Sequence, residues 1–187
     1  MKIAILGWGS LVWDPRELPI KDGWHKGGPV LPIEFSRVSR DCRLTLVIDP
    51  KNGAEVTTQF ALSKRKELED AICDLRAREG TKHEKIGFVI TNSAESNCKV
   101  MPEAKPLIRD WTREKKFDAV IWTDLCPNFE NQTKKDFTIE NAARYLEGLP
   151  KGAKKEGRKY IRKAPRAVTT PLRKKLIEDG WLEETDK

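Results

Sequence analysis

The sequence lacks any long hydrophobic run. No apolar stretch approaches the roughly 20 residues that a membrane-spanning helix needs, so we expect no membrane partner. The chain begins with Lys2 and a short apolar stretch, without the basic leader and cleavage site of a signal peptide, which predicts a cytoplasmic protein. Charged residues make up 35% of the 187 residues and hydrophobic residues 38%, a composition typical of a globular protein with a heavily charged surface.

Cysteine and histidine are too few and too scattered to indicate a metal site or a disulfide framework. The four cysteines form no CxxC pair, which is the usual sign of a structural zinc site. His25 and His83 are the only histidines, and neither has neighbours at ligand spacing. We therefore predict no metal and four free, mostly buried thiols.

Positive charge is concentrated towards the C-terminal end. Residues 151–175 contain eleven lysines and arginines and one acid, Glu156, whereas the whole chain carries a net charge of +7. The candidates for one basic face are Lys154, Lys155, Arg158, Lys159, Arg162, Lys163 and Arg166. Such a face either docks an acidic partner or is simply solvated. Tyr160 is the single aromatic residue among them, too few for base stacking, so nucleic acid is disfavoured as the partner.

Hydrophobic periodicity predicts an α+β protein. The predicted strands are residues 2–8, 33–40, 42–48, 55–62, 85–91 and 117–122, and residues 23–32 are predicted to be a loop. The predicted helices are residues 63–78 with Ser63 as N-cap and Gly80 as terminator, 107–115, 138–149, 152–163 and 171–179. The turn at residues 49–53 predicts a hairpin of the strands 42–48 and 55–62.

The length fits a single domain over residues 1–187. We divide it into a core half at residues 1–95, the remaining strand and helices at 96–150, and a basic helical extension at 151–187. Because the strands and helices do not alternate strictly, we predict a small mixed or antiparallel sheet that closes towards a barrel, with flanking helices.

A glycine-rich turn follows the first predicted strand at residues 7–11, Gly-Trp-Gly-Ser-Leu. Turns of this kind bring backbone N–H groups close to a bound anion or polar ligand. A dinucleotide-binding G-x-G-x-x-G motif is disfavoured because Val12 occupies the third glycine position. A G-x-S-x-G nucleophile is excluded because Trp8 and Val12 stand two residues on either side of Ser10. The turn therefore either binds a ligand or only lets the chain leave the strand.

Glu79 stands at the end of an apolar stripe on the predicted helix. The stripe consists of Leu68, Ile72 and Leu75, and Glu79 follows at the same helical spacing. Burial and the negative end of the helix dipole both raise a carboxyl pKa, as a general base working near neutral pH requires. The alternative is a glutamate that turns outward or pairs with an arginine of its own helical turn.

Arg37 and Arg40 flank a predicted strand. An arginine can hold a carboxylate through two parallel hydrogen bonds, and an arginine at a strand end can also be simply solvated. We retain Arg37 as a candidate contact to a substrate carboxylate.

Two motifs are Gly-Trp-Gly-Ser-Leu-Val-Trp at residues 7–13 and Leu-Arg-Ala-Arg-Glu at residues 75–79. Together they resemble those of the gamma-glutamylcyclotransferase-like superfamily, above all its glutathione-acting branch. The resemblance covers about the first half of the chain and indicates a separate bacterial branch. Trp8 stands where the family usually has tyrosine, and residues 80–83 lack the Gly-Tyr pair that follows the family's catalytic helix.

The resemblance implies a small mixed barrel with a cavity at one end, and a reaction that needs no cofactor. In that reaction the α-amine of a small gamma-glutamyl substrate attacks its own γ-carbonyl group and releases 5-oxoproline. Glu79 would be the catalytic acid and base. The residues implied to lie against the glutamyl group are Trp8, Gly9, Ser10 and Leu11.

The sequence leaves two classes of function open. The first, which the motifs favour, is a gamma-glutamylcyclotransferase-like lyase or acyltransferase that acts on a small gamma-glutamyl or amino-acid-like molecule. The second is a non-enzymatic protein of the same fold that binds a small ligand, or that docks acidic partners through its basic C-terminal helices. A homo-oligomer is compatible with both.

Overall fold

The structure is a computed structural model that describes residues 1–183. Its strands are β1 (Ile3–Gly7), β2 (Ile20–Val38), β3 (Leu44–Ile48), β4 (Ala54–Ser63), β5 (Ile86–Ile90), β6 (Ser96–Asn97) and β7 (Ala119–Thr123). Its α-helices are α1 (Ser10–Trp13), α2 (Leu68–Glu79), α3 (Lys105–Glu114), α4 (Phe129–Thr133), α5 (Ile139–Glu147), α6 (Lys151–Lys163) and α7 (Pro171–Glu178), and two 3-10 helices span His83–Lys85 and Pro102–Ala104. Across residues 1–183 no helix combines the length and the apolar character that crossing a membrane requires.

The strands form one mixed sheet in the order β3-β2-β4-β1-β7-β5-β6. β1 and β7 run parallel, with Ile3 opposite Ala119, whereas β1 with β4, β2 with β3, and β5 with both β6 and β7 are antiparallel. The predicted α+β class with a mixed sheet is confirmed. The predicted closure towards a barrel is wrong, because the sheet of the described residues remains open, with β3 and β6 as its edge strands. β6 has only two residues, too short an edge to close a barrel.

The predicted loop at residues 23–32 is wrong, because this segment belongs to the 19-residue strand β2. Gly28 permits a close approach: a Cβ at this position would lie 2.4 Å from Oγ1 of Thr58, which donates a hydrogen bond to the carbonyl of Pro29 at 2.8 Å. The glycine therefore serves strand packing rather than a turn. The predicted hairpin of β3 and β4 is also wrong, because β2 lies between these two strands in the sheet.

The chain divides into two compact units. Unit 1 comprises residues 1–31 and 57–125, and unit 2 comprises residues 32–56 and those from 126 onward. Strands β2 and β4 each contain residues of both units. The division of residues 1–187 at positions 95 and 150 within a single domain stays a prediction.

The core of unit 1 lies where α2 packs against β7 and β1. Ile72 and Leu75 of α2 are buried in the same cluster as Ile5 and Ile121, and Leu68 packs against that cluster. Each fully buried side chain of this size contributes about 1.5–3 kcal/mol of hydrophobic stabilisation. The predicted apolar stripe of this helix is therefore confirmed.

The predicted start of α2 is wrong, whereas its predicted end is confirmed. The helix begins at Leu68 rather than next to Ser63, which ends β4 and whose Oγ accepts a hydrogen bond from the N–H of Arg65 at 3.0 Å. It ends as predicted at Gly80, which adopts the left-handed conformation with φ of 59°. Glu79 is consequently the last residue of the helix.

Unit 2 packs α6 against β3. Tyr160 of α6 is buried, and its ring meets the ring of Phe35 edge to face with centroids 6.3 Å apart. Arg158 of the same helix is also buried: its Nε donates to the carbonyl of Trp181 at 2.8 Å, and its guanidinium lies 4.8 Å from the centroid of the Trp181 ring. Arg158 and the ring of Tyr160 are therefore buried inside unit 2 and are not part of the predicted basic face.

Candidate functional site

The carboxylate of Glu79 is held at the C-terminal end of α2. Its side chain is only 17% exposed, and Oε1 lies 2.7 Å from Nη1 of Arg78. Of the alternatives left open by the sequence, the structure therefore shows a glutamate that is both largely buried and paired with an arginine of its own turn.

Arg78 links this carboxylate to the turn that follows β1. Its Nη2 donates to Oγ of Ser10 at 3.4 Å and to the carbonyl of Asp14. The arginine side chain is 6% exposed, and its Nε is buried without a hydrogen-bond partner among residues 1–183. One guanidinium thus joins two segments 68 residues apart in sequence, the end of α2 and the start of α1.

The environment of Glu79 changes its acidity. Burial raises the pKa of this carboxyl above its ordinary value, while the positive charge and hydrogen bond of Arg78, and the charge of Arg16, act in the opposite direction. The net pKa remains raised. A carboxyl with a raised pKa carries its proton closer to neutral pH, so it can both accept and donate a proton there.

The glycine-rich turn contains both buried and partly exposed residues. Trp8 and Leu11 are buried, whereas Gly9 and Ser10 are partly exposed at the start of α1. Gly7 packs so closely against Trp24 that a Cβ would lie 2.6 Å from the Trp24 ring. The glycine at position 7 therefore serves packing, and Gly9 and Ser10 are the positions of this turn that a ligand could reach.

Arg37 belongs to unit 2, whereas Glu79, Arg78 and Ser10 belong to unit 1. Its Nη1 donates to the carbonyl of Cys126 at 2.7 Å, and burial lowers the pKa of the guanidinium. Its contact to a substrate carboxylate stays a prediction.

The part of the chain that the structure describes contains no group of three or more histidine, cysteine and acidic residues placed to hold a metal ion. Nε2 of His83 lies 2.9 Å from Glu69, and His25 packs its ring on Phe60. All four cysteines are free, but only Cys98 is buried, so the prediction of mostly buried thiols is wrong.

Sequence reasoning missed the bridging contacts of Arg78. The sequence indicated this arginine only as a partner for Glu79, and no local pattern indicated that it would also reach Ser10 and Asp14.

Comparisons of the chain with protein-family models, with curated proteins and with solved structures found no match.

Proposed function

We propose that this protein is a gamma-glutamylcyclotransferase-like enzyme that cleaves a small gamma-glutamyl amine or peptide and releases 5-oxoproline. The observation that supports the proposal is the bridge from Glu79 through Arg78 to Ser10. A single guanidinium thus contacts both a largely buried carboxylate and the glycine-rich turn. These are the two segments on which the motif resemblance rests.

The proposed reaction needs one proton carrier. The α-amine of the substrate attacks the γ-carbonyl carbon, a new C–N bond closes the five-membered ring, and the bond from that carbon to the leaving amine breaks. Glu79 accepts the proton from the attacking nitrogen and delivers it to the leaving nitrogen, so that it is regenerated. Since the two reacting groups belong to one molecule, much of the entropic cost of bringing them together is already met.

The start of α1 supplies the proposed contacts to the substrate. Backbone N–H groups in the first turn of a helix have no acceptor within the helix. Those of Ser10 and Leu11 are in that position and are proposed to hold the substrate carboxylate or the oxyanion of the transition state. Trp8 is buried and is proposed to shape the site by packing.

The test is release of 5-oxoproline from glutathione and a panel of gamma-glutamyl amino acids. We expect Glu79→Gln to lower the rate by about a hundredfold or more, because an amide cannot carry the proton. Glu17→Gln is the matched control, since Glu17 is an exposed glutamate of the same unit. Release by the wild-type chain that Glu79→Gln leaves unchanged would contradict the role of Glu79, and no release from any substrate would favour the non-enzymatic ligand-binding alternative.

One observation favours docking of an acidic partner as a second candidate function. Lys151, Lys155, Lys159 and Lys163 are exposed and spaced four residues apart, so they follow one side of α6. Binding to polyglutamate that weakens steeply with salt, and that Lys155→Glu with Lys159→Glu abolishes, would support this function. Unchanged binding in that double variant would exclude this side of α6 as the docking surface.

A further inference from the structure

A cavity is lined entirely by residues of unit 2. Its volume is about 330 Å³, enough for a small organic molecule. It is formed by the end of β2, the turn between β3 and β4, and α4 with its flanking residues. The residues that matter for its chemistry are Ser36, Asp49, Lys51, Phe129, Glu130 and Phe137.

Ser36 gives this cavity an unused hydrogen-bonding group. The residue is fully buried, and its Oγ has no hydrogen-bond partner among the described residues. It lies in a stretch of β2 where the register with β3 shifts between Glu34 and Arg37, and such irregularities redirect side chains next to binding sites. Because an unpaired buried hydroxyl destabilises the fold, a ligand that pairs with it gains affinity.

The charges of the cavity favour a cation. Asp49 is 1% exposed, and within residues 1–183 its carboxylate accepts only from groups of its own turn, the N–H groups of Lys51 and Asn52 and the Asn52 amide. Lys51 is directed to a second carboxylate, that of Glu130, at 3.5 Å. The lining residues therefore include two carboxylates and one ammonium group, a formal net charge of −1.

A pair of aromatic rings adds to this preference. On the apolar side, Phe129 and Phe137 are buried with ring centroids 5.4 Å apart at an angle of 89°. The faces of aromatic rings attract organic cations. The rings also pack against the apolar part of such a cation.

We propose that this cavity is a binding site for a small organic amine in its ammonium form. Ser36 and Asp49 supply oxygen acceptors for the ammonium group, and the two phenylalanines pack against the carbon skeleton. The site does not depend on the ring-closing reaction proposed for Glu79, so either proposal can fail without the other.

The test compares three probes of similar size: benzylamine, benzyl alcohol and benzoate. Binding is followed by backbone amide NMR on the full chain. We expect benzylamine to shift the amides of residues 49–52 and 129–131 and to bind at least about tenfold tighter than benzyl alcohol, because a hydrogen bond to a charged group is stronger than one to a neutral group. Equal binding of all three probes, or shifts confined to other residues, would overturn the proposal.

Two variants make the test specific to the cavity. Ser36→Ala should weaken benzylamine binding by about tenfold, because it removes the buried acceptor. Lys51→Gln should strengthen it about two- to threefold by removing the competing cation, whereas Lys174→Gln, an exposed lysine of the same unit outside the cavity, should have no effect. If Ser36→Ala does not fold, the lysine pair decides: the same affinity in both lysine variants would overturn the proposal.

Discussion

Each unit contains a glutamate whose burial raises its pKa, and the two glutamates differ in what surrounds them. Glu34 in unit 2 is completely buried, whereas the side chain of Glu79 in unit 1 is 17% exposed. Glu34 accepts hydrogen bonds from the N–H groups of Phe35 at 2.7 Å and Leu172 at 3.2 Å. Glu79 has an arginine as its partner, with no backbone donor among its described contacts.

The difference separates a structural carboxyl from a candidate catalytic one. Glu34 receives its backbone bond from the first turn of α7, where helix N–H groups lack acceptors within the helix, so its carboxylate completes that end of the helix. Both oxygens of this carboxylate are therefore already bonded to backbone N–H groups of the fold. A raised pKa alone therefore does not identify a site, and the partners of the carboxyl decide its role.

The largest expected effect is a loss of stability when the Glu34 carboxylate is removed. Glu34→Ala should lower the free energy of unfolding by about 3 kcal/mol, because it leaves the N–H groups of Phe35 and Leu172 buried without an acceptor. Urea denaturation measures the change, and Glu178→Ala, an exposed glutamate of α7, is the control. A Glu34→Ala variant within about 0.5 kcal/mol of the wild type would contradict the structural role of this carboxylate.

A smaller effect tests the partner of Glu79. Arg78→Met removes the cation that opposes the effect of burial, so the pKa of Glu79 should rise further, and the pH at which the proposed reaction begins should move upward. The rate at neutral pH should fall about tenfold, because less of the carboxylate is ionised and its position is less fixed.

Carbon NMR titration of the Glu79 carboxyl measures its pKa directly, whether or not the chain has the proposed activity. Glu79→Gln identifies the resonance. Arg76→Met is the matched control, an exposed arginine of the same helix. If both arginine variants titrate alike, Arg78 does not set the acidity of Glu79.

The sequence predicts features that depend on neighbouring residues along one element. The spacing of Leu68, Ile72 and Leu75 identified the buried side of α2, and Gly80 identified its end, because both signals lie within a few turns of helix. The position of Glu79 in the candidate site follows from that same helix. Its proposed role rests on the motif resemblance.

Features that depend on distant segments were missed. The glycines and prolines of residues 23–32 indicated a loop, although Gly28 is required by its packing against Thr58 of another strand. Arg158 was predicted to be part of a basic face, although it is buried and contacts Trp181. The cavity at Ser36 is assembled from three separate segments, and no single stretch of sequence carries its pattern.

The smallest expected effect is on the pH dependence of stability and returns to Glu79. Its pKa in the folded chain is raised above the ordinary value of 4.5. As the pH rises through 4.5, the unfolded chain loses this proton first, so the folded state binds more protons than the unfolded state and its stability falls until the folded pKa is passed. Glu79→Gln lacks this titration, and its melting temperature relative to the wild type should therefore increase with pH over that window. A difference that does not vary with pH would show that burial does not penalise the Glu79 carboxylate and would weaken its assignment as a general base.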